Sequence, residues 1–216
     1  IEIYGNYTRF NNNFIYTTAG TNKRPTIGFG KVSGALYGSF SNNIIMSESN
    51  VGGLIVGSSS SNCEITGNTI YTSGTLIDVS GSCHVITGNY LYAVTNASGD
   101  YGIALTGGTN HVITGNQIRG GGTSSTLGIN VSGSNTDCVI SGNVIYSWAT
   151  GITFASGSNY NNANGNTFST VTTPISDSGL GNDIHNNSGT SAIFEKKHVY
   201  MKNTSGSTIN AGNIVT

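Results

Sequence analysis

Charge is nearly missing from this chain. Of its 216 residues only 8% are charged, and the net charge is −1. No basic excess is present to hold phosphates, which argues against a nucleic-acid partner. No apolar run approaches the ~20 residues needed to span a bilayer, so membrane insertion is not expected. There are only two prolines, and low charge with little proline is not the composition of a disordered chain. The three cysteines, Cys63, Cys83 and Cys138, are odd in number and lack CxxC spacing. Neither a zinc knuckle nor a redox motif is legible, and no metal or other cofactor is implied. The chain opens on Ile1 and closes on Ile214-Val215-Thr216 in strand-like sequence, as a piece of a longer protein would. A missing leader therefore carries no information.

What is abundant is small and polar. Gly (32), Asn (28), Ser (28) and Thr (27) make up just over half of the residues. Helix formers are scarce and β-branched residues common.

The pattern behind this composition is a repeat. Cys63-Glu-Ile-Thr-Gly-Asn68, His84-Val-Ile-Thr-Gly-Asn89, His111-Val-Ile-Thr-Gly-Asn116 and Cys138-Val-Ile-Ser-Gly-Asn143 are near copies, and weaker copies end at Asn13, Asn43, Asn166 and Asn187. A variable period of 21 to 30 residues is the mark of a solenoid. Each unit carries a Gly-Ile-x-Val type strand, a turn, the Val-Ile-x-Gly-Asn segment and an x-Ile-Tyr strand. The sequence therefore predicts three short strands per coil and about eight rungs.

Two columns are almost wholly apolar and should line the interior. One is Ile15, Ile45, Ile70, Leu91, Ile118, Ile145 and Phe168; the other is Phe10, Phe40, Ile65, Ile86, Ile113, Ile140, Ala163 and Ile184. The position before each repeat Asn holds only Gly or Asn, the residues that tolerate φ > 0, and predicts a left-handed corner. The Asn column itself should form a ladder of side-chain amides.

Stacked units of this kind resemble the right-handed parallel β-helix of the pectate-lyase-like superfamily over residues 1–191. That resemblance implies the fold but not an activity, because the fold hosts lyases, glycosidases, epimerases, adhesins and phage tailspikes. Residues 192–216 break the pattern with Glu195-Lys196-Lys197 and resemble the start of a small β module of the kind that follows coils in phage tail proteins. Together the two resemblances imply a tailspike or tail-fibre protein of the virion tail, or an extracellular relative. A homotrimer binding host surface polysaccharide is the expected form. The alternatives are a secreted polysaccharide-degrading enzyme of the superfamily and a non-catalytic shaft segment.

Candidate recognition residues form an outward file: Tyr16, Met46, Tyr71, Tyr92, Arg119, Tyr146 and Ser169. Tyrosine offers a flat apolar face with a polar tip, suited to sugar rings or to a subunit interface. Arg119 interrupts the stripe and suits an acidic group. Insertions within Ala93 to Tyr101 and Gly120 to Leu127 come from adjacent units and should form a lip beside the stripe, with Asp100 and Tyr101 among its members. The expected carbohydrate-binding set is therefore Tyr71, Tyr92, Arg119, Tyr146, Asp100 and Tyr101.

Catalysis is not expected from this segment. Glycoside hydrolysis needs two carboxyls about 5 to 10 Å apart, and the weak candidates are Asp78 and Asp100, with no stacked acid facing Asp78. The column Cys63, His84, His111, Cys138, Asn161 and Asn182 contains metal-capable residues. Stacked side chains point in parallel rather than converging, so a buried polar ladder is expected there. Disulfides are not expected: Cys63 and Cys138 are three rungs apart, roughly 14 Å by strand spacing, and Cys83, one column over on the next rung, is the only partner Cys63 could have. A Thr66, Thr87, Thr114 and Ser141 file lacks the paired Thr file that an ice-binding array would use.

Overall fold

The computed structural model describes residues 1–3, 6–17, 27–29, 37–47, 52–94, 99–122 and 126–189. The expected C-terminal module, residues 192–216, lies outside the described residues.

The described chain winds into an all-β coil with three eight-stranded parallel sheets. Sheet A contains, among others, Ile77–Val79, Tyr101–Leu105, Leu127–Val131 and Thr150–Phe154. Sheet B contains Glu64–Thr66, Val85–Thr87, Val112–Thr114 and Val139–Ser141, and sheet C contains Thr69–Thr72, Tyr90–Ala93, Gln117–Arg119 and Val144–Tyr146. Each strand pairs with its equivalents in the coils before and after. Ile86 pairs with Ile65 and Ile113, and Leu91 with Ile70 and Ile118. Equivalent residues are thus superposed along one axis, about 4.8 Å apart. The coil is the right-handed parallel β-helix that the repeat predicts.

The two apolar columns face inward. Ile45, Ile70, Leu91, Ile118 and Ile145 have no exposed surface, and neither have Ile86, Ile113 and Ile140. Sides alternate along each strand, and sheet A sends two files into the core on either side of an outward one, as at Ile103 and Leu105 or Ile129 and Val131.

The Asn column closes the B-to-C corner. The amide of Asn89 donates to Asn116 Oδ1 at 2.9 Å, and its backbone N–H donates to the same oxygen at 3.0 Å. The second amide hydrogen of Asn89 reaches the carbonyl of Ile65, a residue of the coil below. The same three bonds recur at Asn43, Asn68, Asn116, Asn143 and Asn166. Burying these amides is tolerated because their polar atoms are paired. The residue before each Asn is left-handed in all eight coils, from Asn12 (φ 60) through Gly88 (φ 63) to Asn186 (φ 53).

A second left-handed corner, between sheets A and B, is not evident in the repeat. Its file is Tyr7, Tyr37, Asn62, Cys83, Asn110, Asp137, Tyr160 and Gly181, all with φ between 53° and 67°. Only half of these residues, Asn62, Asn110, Asp137 and Gly181, are types that favour that region, and the tyrosines and the cysteine between them blur the signal.

Glycine has a different role in sheet A. A Cβ on Gly102 would meet Ile118 Cγ2 at 2.4 Å, and one on Gly128 would meet Ile145 Cγ2 at 2.7 Å. Glycine is needed there because sheet C side chains fill the space. Nearby, Trp148 is fully buried, and its Nε1–H donates to the carbonyl of Ile118 at 3.2 Å.

The mixed Cys/His/Asn column is also a buried ladder. Cys63 N–H donates to His84 Nδ1 at 3.1 Å, and Cys138 N–H to Asn161 Oδ1 at 3.0 Å. The rings of His84 and His111 stack with centroids 5.4 Å apart. Among the described residues no three metal-ligating side chains converge. All three cysteines are free, so the Cys63–Cys83 pairing does not form. Cys63 is buried within the coil, whereas Cys83 sits half-exposed on the A-to-B corner.

Candidate functional site

The outer face of sheet C holds the most concentrated set of aromatic side chains. Strand register superposes Tyr16, Met46, Tyr71, Tyr92, Arg119, Tyr146 and Ser169. Pairing on both sides fixes each backbone, so the file is rigid. Tyr71 and Tyr92 contact with ring centroids 4.8 Å apart. Arg119 Cζ lies 4.6 Å from the centre of the Tyr92 ring and 5.7 Å from that of Tyr146, within cation–π range on both sides.

Tyr90 completes the cluster. It precedes Tyr92 by two positions on the same strand, so it faces outward as well. It is 37% exposed and hydrogen-bonds both Arg119 and Tyr146. Partial burial pushes the Tyr146 hydroxyl pKa up, the hydrogen bond to Tyr90 adds to this, and Arg119 opposes it. Sequence reasoning missed Tyr90 because its column otherwise holds Phe14, Ile44, Thr69, Gln117, Val144 and Thr167, which carry no shared chemistry.

At the other end of the file is a groove of about 280 Å³ lined by Tyr16, Met46, Ser47, Tyr71 and Val94. Val94 opens the first insertion. The two insertions touch at their roots: a Cβ on Gly121 would lie 2.7 Å from the Val94 carbonyl oxygen, and Leu127 N–H donates to Asp100 O at 3.4 Å. Residues 95–98 and 123–125 of the insertions lie outside the described residues. Asp100 and Tyr101 stand where the chain enters sheet A, half-buried, with Tyr101 N–H donating to Thr75 Oγ1 at 3.3 Å. The structure thus brings Tyr71, Tyr92, Arg119 and Tyr146 into one file. It sets Asp100 and Tyr101 across the C-to-A corner.

Asp78 is elsewhere, on the outer face of sheet A, in register with Ile55 and Ala104. Burial raises its carboxyl pKa, a hydrogen bond to Thr106 opposes this, and its Oδ1 is buried without a partner among the described residues. Asp100 precedes Ala104 by four residues, roughly 13 Å of extended strand. The register does not set the two carboxyls face to face.

The polar columns in the coil are chemically quiet. Burial lowers the pKa of His84 to about 4, helped by His111, while the carbonyls of Ser80 and Ser60 act the other way. Burial also pushes the Cys138 thiol up to about 11. A neutral imidazole and a thiol held protonated are structural groups, not nucleophiles.

Residues 27–189 match the family described as right handed beta helix region. This is most of the chain, and the chain belongs to that family. No curated protein matches it. Among solved structures it is similar to the enzymatically active domain of tailspike protein 2 of bacteriophage CBA120, with TM-score 0.50 and 12% identity over 79% of this chain and 33% of that one. It is equally similar to the full-length tailspike protein 2 of an Escherichia coli O157:H7 bacteriophage, with TM-score 0.51, 12% identity and the same coverage. The chain spans about a third of the length of those tailspikes. At this identity the likeness is one of fold: the coil is tailspike-like.

Proposed function

We propose that this chain is the coil segment of a phage tailspike or tail-fibre protein of the virion tail, working as a homotrimer, and that the outer face of sheet C binds host surface polysaccharide. The observation that carries this reading is the continuous Tyr71–Tyr92–Arg119–Tyr146 file beside the groove at Tyr16 and Tyr71. Tyrosine rings stack on the apolar faces of pyranoses, and their hydroxyls hydrogen-bond the rim. A rigid sheet presents them without an ordering cost on binding. The tailspike-like fold is consistent with the reading, and the outward-facing, half-buried rings of Tyr71, Tyr92 and Tyr146 support the choice of this face.

The test is retention of the purified chain on immobilised surface polysaccharides from a panel of bacterial strains. At least one polysaccharide should bind, and Tyr92→Ala should weaken it about three- to tenfold, as loss of one stacking contact implies. Tyr71→Ala should do the same. Unchanged binding in both variants would sink the assignment of this face. Oligomer size by light scattering, with solvent labelling of Tyr71 and Tyr146, checks the rest: a trimer that occludes these rings makes the stripe a subunit interface instead.

A further inference from the structure

Arg119 is an unusual side chain to find in this file. Among the described residues it and Arg9 are the only Lys or Arg. It is exposed, yet it is not loose. Its guanidinium lies over Tyr92 at 4.6 Å and near Tyr146 at 5.7 Å, and it hydrogen-bonds Tyr90. The groups that act on its charge are the phenols of Tyr90, Tyr92 and Tyr146; none is a carboxylate. The flanking outward positions, Thr69, Gln117, Val144 and Thr167, are uncharged. Among the described residues, this face therefore holds one fixed positive charge that no acid neutralises.

Guanidinium carries five N–H donors, and contacts with three phenols leave part of its fork unengaged. Stacking on aromatic rings fixes its plane, so little side-chain entropy is lost when an anion docks. A neutral glycan would displace water from this charge and return only ordinary hydrogen bonds. An anionic group would return charge-assisted, bidentate ones. Tyr71 lies two coils from Arg119, about 10 Å at ~4.8 Å per coil, and a pyranose is about one coil long. A chain lying along the axis would set one sugar against the Tyr16–Tyr71 groove and another, two units on, against Arg119.

We propose that the bound polysaccharide is acidic, and that Arg119, held by Tyr90, Tyr92 and Tyr146, reads its anionic group. This rests on the glycan reading above. The shared chemistry is a sugar-borne carboxylate, sulfate or phosphate.

The experiment is a glycan array probed with the full 216-residue chain, in which uronate-bearing, sialylated, sulfated and phosphorylated glycans stand beside their neutral parents. The expected result is a preference of about tenfold for the acidic members, weakened by added salt and abolished in Arg119→Gln, whose remaining binding no longer distinguishes acidic glycans from their neutral parents. The array arms identify the anion. Arg119→Lys, which keeps the charge but not the fork, should retain a partial preference. Equal binding of acidic and neutral members by the wild-type chain overturns the inference, and so does a preference that survives in Arg119→Gln. If Tyr92→Ala weakens acidic and neutral glycans alike while Arg119→Gln changes neither, only the anion inference falls. If the wild-type chain retains no glycan, the binding reading falls with it.

Discussion

Asn116 Oδ1 accepts two hydrogen bonds from Asn89, one from its backbone N–H at 3.0 Å and one from its amide at 2.9 Å. Asn116 in turn donates to Ile86 O at 2.9 Å and to Asn143 Oδ1 at 3.0 Å. One side chain thus ties its own coil to the coils on either side at a fully buried site.

Asn116→Ala should therefore cost about 3 kcal/mol or more, since it leaves buried donors and acceptors unpaired on both sides. Asn116→Asp should be worse. A carboxylate still accepts from Asn89, but it cannot donate to Ile86 or Asn143, and its charge is buried. Urea unfolding of the two variants checks the order.

Two glycines separate backbone freedom from packing. Gly88 has φ 63°, and a Cβ there would meet nothing within 4 Å. Gly88→Ala should cost about 1 to 2 kcal/mol, the penalty of the left-handed region alone. At Gly128 a Cβ would lie 2.6 Å from Gly151 O and 2.7 Å from Ile145 Cγ2. Gly128→Ala should cost about 3 kcal/mol through overpacking, although its φ is unremarkable. Equal losses in denaturation would contradict this division.

The His84 pair makes the coil acid-sensitive. His84 Nδ1 accepts from Cys63 N–H at 3.1 Å, and Nε2 faces Ser80 O at 3.0 Å, so the neutral ring with its proton on Nε2 satisfies both bonds. The folded pKa is about 4, against the ordinary histidine value of 6.5. The unfolded chain therefore takes up protons first. The contribution is fully present above pH 6.5 and is lost as pH falls from 6.5 to about 4, amounting to about 3 kcal/mol. His84→Asn, which places in this coil the residue found higher in the same column at Asn161 and Asn182, should flatten that limb. Asp78 acts in the opposite sense, because its folded pKa is raised, and the variant leaves it untouched. Denaturant midpoints from pH 4 to pH 7 are the readout.

Tyr71 and Tyr92 lie on the surface of the coil rather than within it. Their replacement by Ala should change stability by no more than about 1 kcal/mol, the scale of one cross-strand pair, while glycan retention falls several-fold. Ile118→Ala, from the inward file of the same sheet, should cost about 2 to 5 kcal/mol. A thermal scan beside the binding assay distinguishes the two faces.

The coil is legible in the sequence because its corner demands a narrow set of residues. Gly or Asn before the repeat Asn, and the Asn itself, leave a signature that survives variable loops. The A-to-B corner demands the same φ but tolerates tyrosine and cysteine as well, so its signature is blurred. The glycines at 102 and 128 are visible as punctuation, yet their cause, Ile118 and Ile145 from the opposite sheet, needs the folded coil. On the site, alternation alone places Tyr71, Tyr92, Arg119 and Tyr146 in one file. Tyr90 is invisible because its role comes from a diagonal contact across coils, and the Tyr16–Tyr71 groove because Val94 reaches it from a corner.

Each coil docks only on its two neighbours, through bonds that repeat almost unchanged from Asn13 to Asn187. Such a molecule grows by addition. Duplicating one whole coil would interpose a further sugar-sized step between the groove and the guanidinium while leaving both intact, which makes the spacing of recognition elements along this protein adjustable in units of a single turn.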